Sequence, residues 1–67
     1  MNKDLEMIYT TMCKKSHGLL FDLAEVRKEF PQYSAQRLSA YMFTLTRKGL
    51  LKKVTVRKDG INVYKNA

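Results

Sequence analysis

Between residues 4 and 15 the apolar side chains Leu5, Ile8 and Met12, flanked by Tyr9, recur three and four positions apart, the spacing that lines one helical face. Asp4 stands where an N-cap would accept from the first free amides. Ser16, His17 and Gly18 interrupt the pattern, and Gly18 can take the left-handed conformation that ends a helix at low steric cost. Leu19, Leu20 and Phe21 then make an apolar run too brief for a helix, which predicts a single small strand or an extended core-filling segment. Asp22-Leu23-Ala24-Glu25 has the form of a capping box: the Asp22 carboxylate accepts from the first turn while Glu25 reaches back. A second helix is therefore expected over about 22–30, burying Leu23, Val26 and Phe30, and stopped by Pro31.

Ser34 offers another N-cap, and Leu38, Tyr41, Met42 and Leu45 follow at helical spacing, so a third helix is expected over about 34–48. Gly49 lies just past its last periodic residue, and Arg47 and Lys48 occupy the final turn, where cations favour the negative end of the helix dipole. From Leu51 the period changes. Val54, Thr55 and Val56 are β-branched, Asp59-Gly60 is a hairpin signal whose favoured two-residue turn needs positive φ at both positions, and Ile61 to Tyr64 returns as a second strand. A hairpin over about 51–65 follows, closed by a two-residue or a bulged three-residue loop. The choice decides whether Val63 or Tyr64 faces the core. A lone hairpin is marginal in water, so this one is expected to pack on the helices and to pair with the 19–21 strand.

The order is helix, short strand, helix, turn, helix, hairpin: an α+β fold, mainly helical, with three helices and a small antiparallel hairpin. A chain of 67 residues has one core to build, so a single domain over 1–67 is expected. Cys13 is the sole cysteine, which excludes an internal disulfide and makes a reducing cytoplasm the default location. The acidic start and the lack of a long apolar run predict a soluble protein without a signal peptide or membrane span.

Charge sharpens this picture. Residues 1–33 balance Lys3, Lys14, Lys15, Arg27 and Lys28 against Asp4, Glu6, Asp22, Glu25 and Glu29. Residues 34–67 set Arg37, Arg47, Lys48, Lys52, Lys53, Arg57, Lys58 and Lys65 against Asp59 alone, so the whole net charge of +7 sits there. Segregation of that kind points to a polyanionic partner, and favours nucleic acid.

The stretch from Ser34 to Leu51, with its capped helix, apolar Leu38, Met42 and Leu45, and Lys48-Gly49-Leu50 exit, is followed by a charged hairpin ending in Val63-Tyr64. It resembles the winged helix-turn-helix superfamily, in particular the DNA-binding domains of multidrug- and arsenic-responsive bacterial repressors. The resemblance extends over most of the chain by element order and over residues 34–64 by motif. It implies a transcriptional regulator of bacterial or phage-like type, cytoplasmic and nucleoid-associated when bound, with the third helix in the major groove of double-stranded DNA and the hairpin as a wing on the backbone. Those repressors usually carry added dimerisation or sensing segments, which this chain lacks after Tyr64, so a homodimer or a larger protein partner is expected.

Around the third helix, the face opposite Leu38, Met42 and Leu45 collects Gln36, Arg37, Ala40, Thr44 and Arg47. These are the expected groove-facing residues. Arg can bond bidentately to guanine, Gln to adenine, and small residues such as Ala40 and Ser39 permit close approach. Gln36 and Arg37 are the expected base readers, with Tyr41 able to graze the DNA. Lys52, Lys53, Arg57 and Lys58 are the expected phosphate contacts of the wing, and Ser34 offers a hydroxyl and helix amides for one more. Phe43 lies away from the core stripe and is expected at the surface, as a partner contact. His17 and Cys13 make an incomplete metal or nucleophile set, and the acids are explained by helix starts, so no enzyme, cofactor or small-molecule ligand is expected. The competing expectation is a module of the same shape that binds, and possibly inhibits, an acidic or nucleic-acid-associated protein.

Overall fold

A computed structural model describes residues 2–16 and 20–67. The expected turn at His17 and Gly18 and the start of the short strand at Leu19 lie outside the described residues. The chain forms α1 (Lys3–Ser16), β1 (Phe21–Asp22), α2 (Leu23–Glu29), α3 (Ala35–Arg47), β2 (Leu51–Val56) and β3 (Asn62–Asn66). It is a small α+β domain, mainly helical, with three helices and one antiparallel sheet of order β1-β3-β2.

The starts of the three helices and the ends of α2 and α3 have reasons visible in their residues. The cap of α1 is Asn2 rather than Asp4: the Leu5 amide donates to Asn2 Oδ1 at 2.9 Å. Asn2 is as good a cap as Asp and stands two residues earlier, so the helix takes it and leaves Asp4 in the first turn. Asp22 caps α2, accepting from the Glu25 amide at 2.9 Å. That helix ends at Glu29, with Phe30 as its C-cap, because the following Pro31 disfavours helical geometry at Phe30. Ser34 Oγ caps α3, accepting from the Arg37 amide at 3.1 Å. Gly49, at φ +80°, closes α3 with two bonds, from its own amide to Thr46 O and from the Leu50 amide to Leu45 O. This is the Schellman arrangement, which needs the left-handed residue that glycine supplies.

The short strand comes later than expected. Leu20 is outside it and exposed, while Phe21 and Asp22 pair with Tyr64 and Val63 of β3. The hairpin closes through a three-residue loop, not a two-residue turn centred on Asp59-Gly60. Gly60 N–H bonds Arg57 O and Arg57 N–H bonds Ile61 O, so Lys58 and Asp59 are the central pair and Gly60, at φ +87°, follows them. One further irregularity falls between Lys53 and Thr55, where Val54 bulges out of the ladder.

The helical stripes meet as expected. Leu5, Ile8 and Met12 of α1, Val26 of α2, and Leu38, Met42 and Leu45 of α3 are buried together with Phe30, and Phe21, Leu51 and Tyr64 close the core from the sheet. Burying each such aliphatic side chain contributes roughly 1.5–3 kcal/mol before entropy is charged against it. Leu23, expected in the core, is only half-buried at its edge. Tyr64 enters the main core, its ring 6.2 Å from that of Phe21. Val63 is buried too, on the opposite face of β3, between Asp22 and Thr55 in register. Among the described residues no helix is long and apolar enough to cross a membrane.

Candidate nucleic-acid interface

Because Leu38, Met42 and Leu45 are fully buried, the opposite side of α3 must face outward, and Gln36, Ala40 and Arg47 are exposed there. Phe43 shares this face and is 62% exposed, with the Arg47 guanidinium 5.9 Å from its ring centre. Thr44 lies on the flank, half-buried, its hydroxyl donating back to Ala40 O at 3.0 Å. It is thus less available to a partner than its neighbours.

Arg37 also lies on that flank, in a built environment. Its Nε donates to the Tyr41 hydroxyl at 2.9 Å, and its guanidinium carbon is 5.5 Å from the Tyr33 ring centre and 5.7 Å from that of Tyr41. Tyr33 and Tyr41 meet edge to face, and the Tyr41 hydroxyl donates onward to Asp4 Oδ2 at 3.3 Å. A hydrogen bond to Asp4, then partial burial, pushes the Tyr33 phenol above its ordinary range. The Asp4 displaced from the cap of α1 therefore ties α1 to the middle of α3 through Tyr41.

The sheet contributes the remaining cations. Lys52, Lys53 and Lys58 are exposed, and Lys52 stands directly across from Lys65. Two like charges in such a cross-strand pair repel, an unfavourable arrangement that a bound anion relieves. Lys53 and Asn62 line a groove of about 240 Å³ together with Ser39, Phe43 and Thr46 of α3. Helix and hairpin thus share one surface. Arg57 behaves differently from its neighbours: its Nη1 meets Asp22 Oδ2 at 2.7 Å and its Nη2 meets Asp59 at 3.3 Å. Burial alone would raise the Asp22 carboxyl, but the Glu25 amide and the Arg57 guanidinium outweigh it and hold the group below its usual value.

Comparisons with protein-family models, curated proteins and solved structures find no match to this chain.

Among the described residues, ion pairs engage Lys15 with Glu29 and Arg57 with its two aspartates. Arg47, Lys48, Lys52, Lys53, Lys58 and Lys65 have no acid partner among them. Asp4, Tyr33, Thr46, Lys48 and Asn62 are among the residues that sequence reasoning left out here, as is Lys65, which lies with Lys52 on the face of the hairpin opposite the groove. Lys65 becomes visible only once the strand register sets it against Lys52, and the Val54 bulge that helps fix that register carries no sequence signal. No cluster of metal-ligating side chains occurs among the described residues.

Proposed function

We propose that this chain is a winged helix-turn-helix domain that binds duplex DNA, with α3 in the major groove and the β2–β3 hairpin as a wing along the backbone. The observation that carries the reading is the set of seven cations on α3, its C-cap and the hairpin (Arg37, Arg47, Lys48, Lys52, Lys53, Lys58 and Lys65) that form no ion pair with an acid among the described residues, in the half of the chain that holds all of the +7 surplus. The pairing of β1 with β3 and the groove that joins Lys53 to Ser39 and Phe43 support it, since they set hairpin and helix side by side. Gln36, Ala40 and Arg47 face the bases, while Lys52, Lys53, Lys58 and Lys65 hold phosphates. Such contacts position the domain, and the helix supplies discrimination. Regulation of transcription is the role this binding serves.

The test is a salt titration on a random duplex, followed by selection of bound sequences. Four phosphate contacts give a slope of log K against log salt of roughly −3.6. Undetectable binding at low salt rejects the reading.

A second reading rests on Phe43, whose large exposed ring beside Arg47 also suits an acidic protein partner. It is favoured if Phe43→Ala abolishes capture of an acidic partner while wild-type protein ignores DNA.

A further inference from the structure

Arg37 has its backbone and its side chain fixed by groups from three separate parts of the chain. Ser34 at the helix start takes the Arg37 amide, Tyr41 one turn on takes Nε, Tyr33 from the preceding loop offers its ring, and Asp4 from α1 takes the Tyr41 proton. A long side chain at the surface ordinarily samples many rotamers, and ordering it on binding costs up to about 2 kcal/mol. Here the ordering has already occurred. Nε is used internally, and among the described residues the two terminal Nη groups, the edge of the planar fork, have no acceptor. The residue is exposed, so that edge meets solvent.

We infer that Arg37 is a preformed donor fork for an acceptor edge with two oxygen or nitrogen atoms, and that Asp4, Tyr33 and Tyr41 are the positioning residues that aim it. The inference rests on the DNA-binding reading. Within DNA, two partners offer that chemistry: the O6 and N7 edge of guanine and the paired oxygens of a phosphate. The guanine edge is the assignment, because a fixed plane is needed for an in-plane, two-point contact, whereas a phosphate accepts a mobile point charge equally well. Asp4 matters through the phenol between them. A hydroxyl donating to a carboxylate becomes a better acceptor, which strengthens the Nε bond.

The experiment uses the full chain and its selected duplex, with each guanine in turn replaced by 7-deazaguanine, which lacks the N7 acceptor. Wild-type protein should lose about tenfold in affinity at one guanine, and Arg37→Ala should be indifferent to the change there. Arg37→Lys should keep the salt slope yet lose the discrimination. Tyr41→Phe and Asp4→Asn should keep the melting temperature within a few degrees and the salt slope, while the penalty at that guanine shrinks to about threefold, a ratio that a merely structural role would not alter. The Arg37 Nε–H resonance in the unbound protein adds a readout independent of DNA: it should be sharp in wild type and broadened by exchange with water in Tyr41→Phe. Indifference of wild type to every replacement, with Arg37→Ala lowering the salt slope by about one, assigns the fork to phosphate and overturns the guanine edge. Equal discrimination in wild type, Tyr41→Phe and Asp4→Asn overturns the positioning role. No binding to any duplex at low salt is a different outcome, which removes the DNA reading itself.

Discussion

Arg57 donates from Nη1 to Asp22 Oδ2 across 2.7 Å, joining the end of the hairpin to the residue that both ends β1 and caps α2. By register Asp22, Val63 and Thr55 follow one another across the sheet, and Arg57 lies two residues beyond Thr55, so the bond crosses β3 on the face where Val63 is buried. Arg57 is thereby a strut for the hairpin rather than an idle cation awaiting a phosphate. The pair is partly exposed, which limits its worth to about 0.5–1 kcal/mol. Arg57→Ala should therefore lower the melting temperature by a few degrees in a circular-dichroism melt. If the domain binds DNA as proposed, Arg57→Ala should change the salt slope less than Lys58→Ala, which would remove a phosphate contact worth about 0.9 in slope.

Asp22 gives the domain a defined acid limb. Its folded-state carboxyl titrates below the value of about 3.9 expected in the unfolded chain. Its contribution is then present above that pH and is lost as pH falls through the lower folded value. Asp22→Asn keeps a capping side chain but removes the titration and the charge pairing. Urea midpoints measured between pH 2 and pH 6 should fall less steeply on acidification for the variant, and the two proteins should differ most near neutrality.

Gly49 and Gly60 have open space where a side chain would go, so their substitution tests conformation alone. Both sit at positive φ, +80° and +87°, with no heavy atom within 4 Å of an added Cβ. Alanine at either site should cost about 1–2 kcal/mol. Asparagine, which tolerates the left-handed region, should cost less. Equal stabilities for Gly49→Ala and wild type in urea denaturation would rule out the Schellman closure of α3.

Leu38 and Phe43 should give opposite results although both are large apolar residues of α3. Leu38 is fully buried, so Leu38→Ala removes 2–5 kcal/mol from a domain whose whole stability is about 3–10 kcal/mol. Much of that variant should be unfolded at 37 °C by circular dichroism. Phe43→Ala removes an exposed ring and should leave the melt within about 0.5 kcal/mol of wild type, so any loss of binding reports on the surface itself.

Cys13 should react slowly with iodoacetamide at pH 8. Burial raises its thiol, and a hydrogen bond with Tyr9 pulls only part of the way back, so little thiolate is present to attack. Labelling followed by mass spectrometry should accelerate several-fold in denaturant.

The helices and their buried stripes were legible in the sequence because helical spacing, capping residues and Pro31 act locally. Leu38, Met42 and Leu45 needed no tertiary information to be assigned inward. Asp4 was misread as a cap because two good candidates stood close together and Asn2, two residues earlier, takes the Leu5 amide, while Asp4 accepts from Tyr41, thirty-seven positions away. The hairpin loop was ambiguous for a related reason: Asp59-Gly60 suits a two-residue turn, yet the Val54 bulge, the strand register and the Arg57 strut together favour the longer one. The candidate surface was half legible. Exposure of Gln36, Ala40, Phe43 and Arg47 follows from the wheel, but the pairing of Arg57, the confinement of Arg37 and the opposition of Lys52 to Lys65 depend on segments distant in sequence.

The sheet ends at β2, whose outer backbone groups are unpaired and whose Val54 and Val56 are exposed. An open strand edge with valines on it invites another copy to add its own strand and so begin aggregation. The bulge at Val54 breaks the straight run of donors and acceptors, and Lys52 and Lys53 place like charges where a second strand would dock. The cations assigned above to the proposed polyanion contact therefore also keep molecules of this domain apart. Neutralising them, by substitution or by a bound partner that is later stripped away, trades affinity against solubility in one step.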